Sequence, residues 1–273
     1  MTRVAIVTVV HGRHAHLALQ RRAVALSVRQ PDDYIVVAVD DESVPDAAHV
    51  RDRIVHIPAH PLGLPIAAAR NAGAEAALAA GADVIVFLDV DCVPGPELVG
   101  AYEAAAASDE LRDDILCGPV AYLPPAPPDG YDLASIATLA APHSARPAPQ
   151  PGQVMRGGDH DLFWSLSFAV TAATWSRIGG FDEAYVGYGG EDTDFAASAA
   201  EKSIELAWIG AARAYHQHHA VESPPVSHLD DIVRNAALFH ERWHRWPMVG
   251  WLTAFDDAGL ISLSPVSGVY EKL

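Results

Sequence analysis

Basic side chains are scarce. Lys and Arg number 18 against 35 Asp and Glu, a formal charge of −17. Nucleic-acid binding depends on clustered cations that neutralise phosphates, so this balance argues against a nucleic-acid partner. Cysteine is nearly absent as well. Cys92 and Cys117 both sit in apolar segments that read as strands or strand ends, which fits two buried thiols in a reducing compartment better than a bridge. No apolar run approaches the length of a membrane span. "VAIVTVV" near the start is short, is followed by the polar "HGRHAH" and lacks a small-residue cleavage site, so it reads as a first strand rather than a signal peptide. The expectation is a cytoplasmic protein without a transmembrane segment. Half of the 273 residues are hydrophobic, which suits a globular enzyme and argues against disorder.

Short β-branched runs of the buried-strand kind recur along the first half: 3–10, 34–39, 54–57, 84–88 and 115–120. Helical segments separate most of them. Residues 14–29 place Leu17, Val24 and Val28 on one face, 65–80 is Ala-rich and stops at Gly81, and Pro96 suits the first turn of a helix through Ala107. This alternation predicts an α/β sandwich with a mostly parallel central sheet, whose ligands sit at the carboxyl ends of the strands.

Aspartates stand at two of those ends. Asp40 and Asp41 follow the second strand, where a turn or cap role competes evenly with a functional one. Asp89 and Asp91 follow the fourth, in "FLDVDCVPGPEL". In an extended Asp89-Val90-Asp91 the two carboxylates share a face while Val90 points into the core, so together they can hold a hard divalent cation. Downstream, "VGYGGEDTDF" sets a glycine-rich turn against Glu191, Asp192 and Asp194, and "AYHQHHA" supplies His216, His218 and His219. If that histidine stretch is extended, His216 and His218 lie on one face and His219 on the other. A zinc site or a plain surface histidine run are the competing readings. The three acids could also merely favour the start of a helix through its dipole.

In order, "VTVVHGR", "VAVDDES", "AAARNAG", "VIVFLDVDCVPGPEL" and "FWSLSFAVTAATWSRIGGFDEAYVGYGGEDTDF" resemble the GT-A fold of nucleotide-sugar-dependent glycosyltransferases. The match is to the inverting family-2 group, with an acceptor half similar to that of chondroitin polymerase-type enzymes and galactosyltransferases. The fold class implied is α/β, GT-A, a Rossmann-like nucleotide-sugar-binding sandwich in a single domain over residues 1–273. Its nucleotide-sugar half covers about 1–120, its acceptor half about 152–220 and a C-terminal helical extension about 221–273.

The resemblance implies that Thr8, Val10, His11 and Arg13 frame a uridine, with Asp40 at the base or ribose and Arg70 and Asn71 near the sugar-nucleotide. Within the Asp89-Val90-Asp91 element, Asp89 contacts ribose or a metal-bound water and Asp91 ligates Mn²⁺ or Mg²⁺. His216 adds a metal contact, with His218 as its alternative. Gly189 and Gly190 let the backbone approach the bound sugar, Asp192 is the general base, and Glu191 binds acceptor or donor hydroxyls. The partners implied are a UDP-sugar donor and a glycan, lipid-linked or small-molecule acceptor. Tyr188 stands where many relatives carry Trp, which leaves the sugar open. Two other functions compete. A sugar nucleotidyltransferase would need the Gly-rich phosphate loop that this chain's start lacks, and a non-catalytic nucleotide-sugar-binding module would not need its acids. The Pro-rich stretch 123–151 reads as a mobile lid over the acceptor site or a spacer, the lid being preferred, 224–248 as an amphipathic helix with Ile232, Ala236 and Phe239 on one face, and the last residues as a flexible or partner-bound tail.

Overall fold

The computed structural model describes residues 2–45 and 52–273. Its first half runs β1 (Val4–Val10), α1 (His14–Val24), β2 (Asp33–Val39), β3 (Asp52–Ile57), α2 (Ile66–Ala79), β4 (Val84–Leu88), β5 (Cys92–Pro94), α3 (Leu98–Ala106), β6 (Ile115–Cys117) and β7 (Val120–Tyr122). Then follow α4 (Ile136–Leu139), β8 (Ala141–Pro142), β9 (Val154–Arg156), β10 (Ser167–Thr171), α5 (Ala172–Ile178), α6 (Glu191–Glu201), β11 (Leu206–Ile209) and β12 (Ala214–His216). The chain closes with α7 (Leu229–Trp243), α8 (Val249–Asp257), β13 (Ile261–Leu263) and β14 (Tyr270–Lys272).

Eight strands form the central sheet in the order β3-β2-β1-β4-β10-β6-β11-β9. β3, β2, β1 and β4 are all parallel, as the alternation predicts. β10 departs from this and runs antiparallel to both of its neighbours, β4 and β6. The chain reaches it from β9 at the far edge through residues 157–166; β9 is antiparallel to β11 and so parallel to β10, and this short return passes β11 and β6 where a parallel connection ordinarily uses a crossover helix. The β1, β2 and β4 runs are largely apolar because both sheet faces are covered there, while the edge strand β3 is only partly buried and carries Asp52, Arg53 and His56. Val4 and Ile6 pack with Leu17, Leu98 and Tyr102 on one side, while Ala5 and Val7 pack with Ala67, Ala74 and Phe195 on the other. A Cβ at Gly73 would sit 2.2 Å from Val7 Cγ1, so the small side chains of α2 let it lie close against the sheet. Cys92 and Cys117 are free and buried. Among the described residues, no helix is long and apolar enough to cross a membrane.

Several local expectations differ from the structure. α1 ends at Val24, leaving Val28 exposed, and Pro96 precedes α3 instead of opening it. The 115–120 run divides at Gly118-Pro119. A Cβ at Gly118 would meet the Ala212 carbonyl at 2.3 Å, and Pro119 has no N–H to continue a ladder, so β7 joins a second sheet, β5-β12-β7-β8. The Pro-rich stretch is anchored at intervals: Leu123, Tyr131 and Ile136 share a cluster with Leu19, Val93 and Tyr215, while 124–130 and 141–145 between and beyond them are exposed. The chain's end is ordered too. Leu252, Phe255 and Ile261 pack with Leu229, Ile232 and Ala236 of α7.

Candidate active site

The carboxyl ends of β1, β2 and β4 open onto one cleft, and the chain turns sharply at each. After β1, Gly12 and Arg13 both take left-handed backbone. This turn is held from β2: the Gly12 N–H donates to Asp41 Oδ2 at 2.8 Å, and His14 Nε2 lies 2.8 Å from the same oxygen. Although burial opposes it, these contacts and Ser43 hold the Asp41 carboxyl down at about 2. Asp41 thus fixes the turn, and Asp40 is exposed beside it. His11 Nδ1 lies 2.8 Å from the Val39 carbonyl. Thr8 and Val10 do not reach the cleft. Thr8 is fully buried, with its hydroxyl 2.9 Å from both Gln20 Oε1 and the Leu88 carbonyl, and Val10 packs in the core. The even residues of β1 face inward under α1, a burial that apolar alternation alone does not distinguish from a ligand-facing side.

Asp91 is the hub of a charged group. Arg13 Nη1 donates to its Oδ2, His216 Nε2 lies 3.5 Å from Oδ1, and His219 Nε2 lies 3.5 Å from Oδ2. Burial opposes ionisation, but the His219 hydrogen bond and the charges of His216 and Arg13 keep Asp91 below the usual carboxylate range. Burial lowers His216, leaving its imidazole neutral with a lone pair to give, whereas the Asp91 contact raises His219. Ligand atoms of Asp91, His216 and His219 lie within 4.8 Å of one another. His218 is not part of this group. β12 ends at His216, so the two-residue period lapses there. Gln217 turns inward, its N–H 2.7 Å from the Asp91 carbonyl, while exposed His218 gives its N–H to Tyr131. His219 comes back to Asp91 in its place. Two other neighbours were not singled out from the sequence: His16, lowered by burial and then by Arg13, and Tyr122, whose ring stacks on His216 at 4.8 Å.

Arg70 ties Asp89, two residues before Asp91, to the acidic turn. Buried in α2, it donates to Asp89 Oδ1 at 3.1 Å and Glu191 Oε1 at 2.9 Å, and its guanidinium lies over the Phe181 ring. Burial, reinforced by Asp91, raises Asp89 to about 6 even against Arg70. Val90 is buried between the two aspartates. Asn71 faces elsewhere: its amide pairs with both backbone groups of Phe181 and with Glu183, bracing the Gly179-Gly180 turn. The three acids of "GGEDTDF" therefore divide. Asp194 is pinned by Arg242 at 2.8 Å, Trp243 Nε1 at 2.7 Å and the Tyr185 hydroxyl. Glu191 is paired with Arg70. Asp192 takes only Thr193, its N–H at 2.7 Å, and among the described residues no cation bonds it. Burial and then the charge of Glu191 push Asp192 up to about 7, a carboxylate ready to take a proton near neutrality.

The glycines before these acids are closely packed from behind. Gly187, Gly189 and Gly190 all have positive φ, and a Cβ on them would meet Asp231, Met248 and Tyr185 respectively, which belong to the wall behind the turn. Asn235 of α7 donates to the Val186 and Gly189 carbonyls at 3.1 and 2.7 Å, Arg234 reaches Val186, and Asp231 accepts from the Tyr188 N–H. Glycine here lets α7 grip the backbone. Gly187→Ala is expected to cost about 2 kcal/mol or more of stability, because left-handed backbone alone costs a residue with a Cβ about 1–2 kcal/mol and its Cβ would sit 2.3 Å from the Asp231 carboxyl carbon. An unchanged urea midpoint for this variant would show that α7 does not grip the turn.

Residues 6–129 match the family described as glycosyl transferase family 2, and residues 159–220 match the N-terminal domain of galactosyltransferase. Two curated relatives are each 32% identical, both named validoxylamine A glucosyltransferase. That of Streptomyces hygroscopicus subsp. limoneus aligns over 212 residues, 69% of this chain and 46% of its own length. That of Streptomyces hygroscopicus subsp. jinggangensis (strain 5008) aligns over 217 residues, 70% and 50%. The chain thus spans about half the length of the curated relatives it matches. In fold it is similar to a crystal structure of GalNAc-T7 with UDP, GalNAc and Mn²⁺ (TM-score 0.56, 17% identity, 80% of this chain and 44% of that one). It is also similar to Staphylococcus aureus TarS 1–349 (TM-score 0.57, 14% identity, 90% and 67%). The chain has the GT-A fold, and two family matches in sequence order on a sheet of this form support a family-2-like glycosyltransferase.

Proposed function

We propose that this chain, as one GT-A domain, moves a sugar from a UDP-sugar to an acceptor hydroxyl with inversion, using Mn²⁺ or Mg²⁺. One observation carries the reading: Asp91, an ionised carboxylate flanked by two imidazoles, and Asp192, a buried carboxylate beside Glu191 to which no cation is bonded among the described residues. A cation about 2.2 Å from each donor needs those donors about 3 to 4.4 Å apart, so Asp91, His216 and His219 fit one after a shift of a few tenths of an ångström. Two imidazoles in the set favour Mn²⁺ over Mg²⁺. When bound, the cation supplies positive charge against the diphosphate leaving group. Arg13 stands to exchange its bond to Asp91 for a phosphate oxygen, and Arg70 orients Asp89 and Glu191 toward donor or acceptor hydroxyls. Asp192 takes the acceptor proton as the hydroxyl attacks the anomeric carbon in line, so one carboxylate serves a single displacement.

The similarity to a structure holding UDP and Mn²⁺ supports the donor and the metal, and the relatives' names favour glucose and a small-molecule acceptor. Incubation with UDP-glucose and Mn²⁺ tests the reading: slow release of UDP is expected. Pyrophosphate exchange in its place would make the chain a nucleotidyltransferase, and neither reaction would make it a binding module.

A further inference from the structure

Arg146 lies outside every role described above. It is only 8% exposed, and among the described residues it has no ion pair. Its guanidinium carbon lies over the Trp164 ring at 5.3 Å and over the Trp208 ring at 5.1 Å. Those contacts set the cation over the faces of two rings. Its N–H donors point along the edges, and there Nε and Nη1 are buried without a partner. Trp208 Nε1, and Ser165 Oγ next to Trp164, are buried and unpartnered as well. Ser165 and Leu166 hold positive φ, and the Leu166 carbonyl accepts the Asp89 N–H at 2.9 Å. A run of rings leads from this niche to the proposed metal ligands: Trp164 meets His143 at 4.8 Å, His143 meets Tyr122 at 5.7 Å, and Tyr122 stacks on His216.

An arginine cannot shed its proton, and an unpaired buried charge is among the costliest features a fold can keep. Donors without acceptors around a planar cation fit one kind of ligand, a planar or tetrahedral oxyanion taken edge-on. We infer that Arg146, clasped between Trp164 and Trp208, is an oxyanion-binding subsite beside the transfer cleft, accepting a phosphate or carboxylate group of a substrate. This deepens the glycosyltransferase reading, and it rests on that reading for the word substrate. The oxyanion comes either from the donor's diphosphate or from an acidic group on the acceptor.

The test uses inorganic phosphate in EDTA, so that neither metal nor transfer activity enters. Phosphate is expected to bind wild-type protein, changing tryptophan fluorescence and raising Tm, and Arg146→Met to weaken that binding about tenfold or more. Because Met removes an unpaired buried charge while keeping the stem's volume, the variant should melt no lower than wild type. A purely structural strut predicts the reverse: a lower Tm and no phosphate response in either protein. A second titration into protein saturated with UDP and Mn²⁺ separates the sources. Competition assigns the oxyanion to the donor's diphosphate, and independent binding assigns it to the acceptor. If Arg146→Met does not fold, selenate soaked into wild-type crystals gives the answer, with anomalous density expected at the guanidinium edge. Absence of phosphate binding to wild type, equal binding in Arg146→Met, or no selenate at that edge would each overturn the inference.

Discussion

Asp192→Asn is expected to lower the maximal rate of sugar transfer roughly 10²- to 10⁴-fold, the range typical of losing general-base help, while UDP and Mn²⁺ still bind. The change keeps the side chain's size and its bond to the Thr193 N–H but cannot take up the acceptor's proton. The pH profile carries a second, independent signature. Burial and the Glu191 charge raise the Asp192 carboxyl to about 7, and only its deprotonated form serves as base. Wild-type rate should therefore climb as pH rises through about 7 and level off above it, and the variant should lack that limb. Glu191→Gln, which loosens the contact with Arg70, should act mainly on the Michaelis constant of donor or acceptor. Rates at saturating donor with acceptor varied, from pH 5 to 9, check all three outcomes. A near-normal maximal rate in Asp192→Asn would return the acidic turn to a helix start and nothing more.

The next largest effect belongs to the Asp91 cluster. Asp91→Ala is expected to abolish turnover and most metal-dependent UDP binding without unfolding the chain, because it takes away the one carboxylate that both His216 and His219 face. The histidines should then separate. His219→Ala should weaken Mn²⁺ binding about tenfold or more, whereas His218→Ala, which alters an exposed side chain away from Asp91, should leave it unchanged. Mn²⁺ titrations of the three variants, each checked by its melting curve, decide between the two histidines. Loss of affinity in His218→Ala with none in His219→Ala would undo the assignment.

Much of the parallel half of the sheet was legible because its strands are buried on both faces and so read as unbroken β-branched runs, and Asp89 and Asp91 stand at the end of one of them. Antiparallel β10 was not legible, because strand direction depends on the path the chain takes to reach it, and no local pattern encodes that. The His218 expectation carried a strand's two-residue period one step past the end of β12. Gln217 marks the break by turning into the protein toward Asp91, a step only the fold reveals. Glycine beside acid in "VGYGGED" signals close approach, but not what approaches. The partner is α7, more than forty residues on, reaching Gly189 through Asn235. Arg146 gave no signal at all, since a lone arginine in a Pro-rich stretch reads as a solvated charge until two tryptophans are seen to enclose it.

The proposed chemistry depends on a divalent ion that Asp91, His216 and His219 would hold and that would supply positive charge to a diphosphate in a protein of charge −17. Calorimetric titration of UDP into the protein in Mn²⁺, repeated in excess EDTA, tests that dependence most directly. The expected result is binding in Mn²⁺ that weakens sharply on chelation, because without a bridging cation the diphosphate would meet Asp89 and Asp91 as a like charge. Equal UDP affinity with and without chelator would contradict it.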